Sequence, residues 1–401
     1  MKILNNIQKE WTELSMIIIN EFRTIVSRYS IVLVLLGGIF VYGVLYNYMY
    51  APNLIREAPV VVVNQSESQL SREYIRLLDA TSQVSVIASD IGFPEACDYM
   101  KTGTAVGMIY IPFDFANRIA CGEQSVFVSY ETTKSFLLYM ALEEALSGTL
   151  LSLDKRCCDD MLPFLPAEDV TNMMAVQPIT VVGTPLYNIT EGYGTYLIPS
   201  VLIVIVFQTL MMVIGMLSGD ERDTNSIVRF VDRKISFGCM TRIVIGKTYV
   251  YCMLYAVFLL FLLGWMPLLF GLPSIGKTID IIIVLVPFLL ATCFLGLTVS
   301  IFFTDAEAPL LMIAFFSVGL IFLSGVSYPL ELMPWYWNVF HFLLPVAPAT
   351  LSYVQLNSMG ATIDDIRVEY VALWIQCFVY FFTACWAYQY NIRKGVKRVI
   401  R

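Results

Sequence analysis

The residue types that do chemistry are sparse in this chain of 401 residues. Gly246-Lys247-Thr248 has the last three residues of a phosphate-binding loop. It lacks the leading glycine and the preceding strand, so on this evidence the chain does not bind ATP by itself. One histidine, His341, lies among Phe340, Phe342 and Leu343 beside Pro345. No Ser/His/Asp set, G-x-S-x-G elbow or H-E-x-x-H pair can be assembled around it. It reads as a packed, satisfied interfacial histidine rather than a proton carrier. None of the nine cysteines is in C-x-x-C spacing, which leaves little for a metal site. What remains is charge. The stretch GDERDTNSIVRFVDRKISFGCMTRIVIGK, 219–247, holds ten charged residues, and the short turn FFTDAEAPL brings Asp305 and Glu307 close together.

The elements that carry these groups are set by composition. With 58% apolar and 14% charged residues, the chain falls outside the range of soluble domains and reads as an α-helical integral membrane protein. Uncharged runs at 29–50, 194–217, 248–270, 281–303, 309–329 and 370–391 are long enough to span a bilayer. They predict six transmembrane helices. A seventh run, 332–363, is cut by Pro334, Pro345 and Pro348 into pieces too short to span, which predicts a re-entrant helical hairpin. Ahead of the first span, Leu4, Ile7, Trp11, Leu14 and Ile18 recur at helical spacing, so residues 1–28 form an amphipathic helix. Its apolar stripe suits either the membrane surface or a partner subunit.

With six spans, both termini, the 305–307 turn and the loop 218–247 share one side. Fifteen of the 25 lysines and arginines fall there, which places that side in the cytoplasm by the positive-inside rule. Residues 51–193 then form an extracytoplasmic domain. Strand-like runs (PVVVV, VSVIA, AVGMIYI, QSVFVSY) alternate with helical ones, predicting an inserted α/β domain with a largely parallel or mixed sheet. Cys97, Cys121, Cys157 and Cys158 fall in it, where a disulfide is possible.

The order of parts resembles the membrane subunits of type-2 ABC exporters with a large extracytoplasmic domain between the first two spans. Three places carry the resemblance: Glu221-Arg222-Asp223-Thr224 followed by Gly238 and Gly246-Lys247, the run FLSGVSYPLELMPWYW, and LLPVAPATLSYVQL before the last span. The segment SIVRFVD, 226–232, departs from the family's leucine-rich pattern. The resemblance implies an ABC ATPase on a separate chain, with ATP bound there and no cofactor here. It also implies a second permease chain, identical or not, and extends to a periplasmic adaptor and an outer-membrane channel.

On this reading Glu221, Arg222, Thr224, Arg229, Arg233 and Lys234 dock on the ATPase, and the N-terminal helix completes the contact. Arginine suits the role because its planar fork holds carboxylates bidentately. The chain is then no enzyme but a permease moving an amphipathic or lipophilic compound outward, with no nucleic-acid partner. A basic loop also binds anionic lipid, which is the plain alternative for these residues. Two other readings compete: an ion-coupled transporter using Asp305 or Glu307, and a membrane-anchored binding or assembly module built on the α/β domain.

Overall fold

The computed structural model describes residues 2–50, 55–121, 123, 125–131, 136–161, 192–224, 237–303, 305–328 and 330–400. The chain divides into two compact units, 1–51 with 185–401, and 52–184.

The first unit opens with α1 (Lys2–Ser27), which ends where Arg28 turns to extended backbone. The first apolar run follows as α2 (Tyr29–Leu36) and α3 (Tyr42–Met49), joined without a break through a π-turn at Gly37–Val41. Glycines let neighbours approach here, as small residues do between membrane helices. A Cβ on Gly38 would sit 2.5 Å from Thr209.

The second unit contains β1 (Ala58–Asn64), α4 (Gln69–Asp79), β2 (Val84–Ala88), α5 (Phe93–Thr102), β3 (Gly107–Ile111), α6 (Phe115–Ala120), β4 (Val128–Glu131) and α7 (Phe136–Met161). The sheet order is β2-β1-β3-β4; β1 pairs in parallel with β2 and β3, and β4 runs antiparallel to β3. The sheet is thus mixed, as the alternation predicted. The unbroken valine run of β1 has a physical cause. Val60 and Val62 pack with Tyr74, Leu78, Phe115 and Leu142, while Val61 and Val63 pack with Ala96 and Met108 on the opposite face. A strand covered on both faces has no polar side to alternate. Cys97 and Cys121 are free thiols, and the side chains of Cys157 and Cys158 lie outside the described residues.

The first unit continues with α8 (Tyr193–Asp223), the most enclosed of the apolar helices. Next come α9 (Phe237–Leu259), a π-turn at Leu260–Trp265 and α10 (Met266–Phe270), then α11 (Thr278–Val299). They are followed by α12 (Ala308–Leu323), α13 (Trp335–Leu343), α14 (Val346–Met359) and α15 (Arg367–Ile400).

Among the described residues five helices are long and apolar enough to cross a membrane; the bent pair α13–α14 would make a sixth if counted as one span. The chain is a multi-pass membrane protein, and the six expected spans are met only in part. The run 309–329 does not form one long helix. Pro309 lies in the first turn of α12, and the helix stops at Leu323 before Gly325, whose φ of 82° lies in the left-handed region that favours glycine. Its 16 residues reach about 24 Å, less than the roughly 30 Å hydrocarbon core. The hairpin pieces at 332–363 appear as α13 and α14, bent by 89° at Pro345.

The charged stretch 219–247 also differs from an open loop. Helix α8 runs into it to Asp223 and α9 begins at Phe237, leaving 225–236 outside the described residues. Several of its charges are paired at helix ends instead of being solvated by a loop.

Candidate functional site

The largest buried charge cluster in the described residues forms where α1, α8, α9 and α15 meet. Helix α1 brings Glu21, which occupies a position of its buried stripe one turn from both Ile17 and Ile25. Its opposite face shows Trp11, Ile19, Phe22 and Val26 to the outside. Gly246 on α9 allows the approach, since a Cβ there would lie 3.0 Å from Ile17 and 3.3 Å from Leu14. The next residue, Lys247, is buried and donates to Glu21 at 2.8 Å and to Glu221 of α8. One helical turn further on, Tyr251 donates its hydroxyl to the other oxygen of Glu21. The ring of Tyr388 on α15 sits 6.0 Å from the lysine ammonium.

One ammonium therefore bridges two carboxylates on two other helices. A buried ion pair contributes little net stability when intact, but loss of one partner leaves a charge stranded and costs about 3–5 kcal/mol. The arrangement thus specifies position: α1, the end of α8 and the start of α9 are held in one register.

Two more ion pairs flank it. Arg28 meets both oxygens of Asp220 at 2.7 and 2.8 Å, and Arg242 lies 3.6 Å from Glu13. Glu13 and Glu21 lie about two helical turns apart on α1, and Arg28 is the residue just past its end. The far side of the α8 terminus is fixed by backbone contacts. Arg222 donates to the Phe303 carbonyl at 2.6 Å, and a Cβ on Gly219 would lie 2.7 Å from the Asp305 carbonyl oxygen.

The sequence-derived site residues are distributed as follows. Glu221 and Arg222 point inward, to Lys247 and to the 303–306 turn. Thr224 caps α8, its hydroxyl bonded to the Asp220 carbonyl at 2.8 Å. Asp305 and Glu307 are exposed on the turn that Gly219 touches through the Asp305–Ala306 backbone. Arg229, Arg233 and Lys234 lie outside the described residues. Sequence reasoning missed Glu21, Tyr251 and Tyr388. For Glu21 a signal existed: it is an acid in phase with Ile17 and Ile25 on an otherwise apolar stripe.

The family described as ABC-2 family transporter protein matches residues 28–386. The chain belongs to that family. It is therefore the membrane subunit of a transporter and not an enzyme, and permeases of this family work with an ABC ATPase. No curated protein matches the chain. The match to the ABC-2 family begins at Arg28 and leaves out all of α1. In this permease the cluster therefore joins Glu221 and Lys247, inside the family segment, to Glu21, outside it.

Proposed function

We propose that this ABC-2 family permease exports an amphipathic or lipophilic compound from the cytoplasm or inner membrane, driven by ATP hydrolysis on a separate chain. Both termini and the 218–247 segment face the cytoplasm, residues 51–193 face the periplasm, and two permease chains form the working unit. The observation that carries the proposal is Lys247 bridging Glu21 and Glu221. A push on the segment between α8 and α9 would reach α1 and the helix bundle through that bridge.

Arg229, Arg233 and Lys234 make the contact with the ATPase. Glu221 and Arg222, turned inward, pass its movement on. In vesicles holding the permease with its ATPase, Arg229→Glu with Arg233→Glu is expected to abolish stimulation of ATP hydrolysis by the permease while membrane insertion stays normal. Unchanged stimulation and transport by that pair would rule the docking role out.

A further inference from the structure

A second polar site lies about 18 Å along α15 from Tyr388, around Gln376. His341 on α13 is fully buried. Its Nδ1 lies 2.9 Å from the carbonyl oxygen of Leu323, the last residue of α12. A carbonyl only accepts, so Nδ1 carries the hydrogen and Nε2 keeps a bare lone pair. Nε2 is buried with no hydrogen-bond partner. Gln376 of α15 repeats the pattern. Its amide nitrogen donates to the Phe342 carbonyl at 2.7 Å, and its Oε1 is buried without a partner. Tyr380, one turn on, donates to the Leu343 carbonyl. The hairpin helix α13 is thus held to α12 and α15 by side chains that donate to backbone carbonyls, while His341 Nε2 and Gln376 Oε1 accept nothing.

We propose that His341 Nε2 is a proton-binding site, and that taking up a proton there releases α13 from the end of α12. The charged group that acts on the ring from a neighbouring helix is Glu369 of α15. Helices α12 and α14 carry no Asp, Glu, Lys or Arg; the phenols of the packed elements are Tyr353 on α14 and Tyr370, Tyr380, Tyr388 and Tyr390 on α15, with Tyr336 on α13 itself. A protonated imidazole without water or a close carboxylate carries a charge that the buried site does not solvate. An opened hairpin exposes the ring to water, where histidine titrates near its ordinary value of about 6.5. The sign follows: the closed state binds fewer protons, so the hairpin's stability is present above about pH 6.5 and falls as pH drops below it.

The single histidine makes the test direct. The full chain, purified in detergent with 15N-labelled histidine, is expected to show one imidazole signal in the Nδ1–H tautomer at about pH 7.5. Amide exchange in 335–359, corrected for the intrinsic pH dependence, should become about tenfold faster at about pH 5.5. His341→Asn keeps a donor for the Leu323 carbonyl and cannot be protonated in this range; its corrected exchange should not change with pH. A purely structural role would instead change exchange equally at both pH values. An Nε2–H tautomer, or the same acid response in the wild type and His341→Asn, would overturn the proposal. If the variant does not fold, the tautomer and titration of the wild-type signal still decide it.

Discussion

Lys247 is the residue on which most of the geometry where α1, α8 and α9 meet rests, because its ammonium satisfies carboxylates from two other helices at once. Lys247→Met should lower the stability of the helical unit by about 3–5 kcal/mol, since Glu21 and Glu221 are left buried without their counter-charge. Lys247→Met with Glu21→Gln should lose much less than the sum of the two single changes, because neutralising Glu21 removes one of the stranded charges. Thermal unfolding of the four proteins measures that coupling. The lysine itself was legible, as part of a glycine-lysine pair entering a span. Its partners were not, because Glu21 and Lys247 are 226 positions apart and no local pattern joins them. The inward turn of Glu221 was likewise hidden, since a charge beside a loop is ordinarily solvated.

The strands and most of the long helices follow directly from local pattern. Valine runs, prolines and uncharged stretches state how much of an element water or lipid can touch. Helix α12 shows the limit: hydropathy alone extends it to 329, but the backbone at Gly325 ends it earlier. In the α/β unit, burial in the packed layer on α4 pushes the Tyr74 phenol up to about 12. The unfolded phenol ionises near 10, so this tyrosine's contribution to stability is present below about pH 10 and is lost as pH rises towards 12. Alkaline unfolding followed by circular dichroism should therefore be less steep in Tyr74→Phe than in the wild type between about pH 10 and 12.

For the molecule as a whole, the family segment and the buried cluster do not coincide. Deleting residues 2–27 keeps all of the matched segment from residue 28 but removes Glu13 and Glu21 and leaves Arg242 and Lys247 without those partners. The truncated permease is expected to reach the membrane in near-normal amount and to lose ATP-driven transport. Fractionation and a vesicle assay on the same preparation check both halves. Transport at the full rate would show that α1 has no part in coupling. The six-span topology was legible only in part because the uncharged run 309–329 has the composition of a continuous span although its helix ends at Leu323.

The meeting of Gly219 with the backbone of Asp305 and Ala306 bears on how this protein can diverge. The contact on the turn side is made by main-chain atoms, so drift in the side chains at 305 and 306 leaves it intact. A change in the number of residues between Phe303 and Pro309 does not. Homologues that keep the arrangement should vary freely in letters there, admit no insertion or deletion, and retain glycine at the position of Gly219. An alignment with gaps in that turn and a larger residue at 219 would show that other members assemble this corner differently.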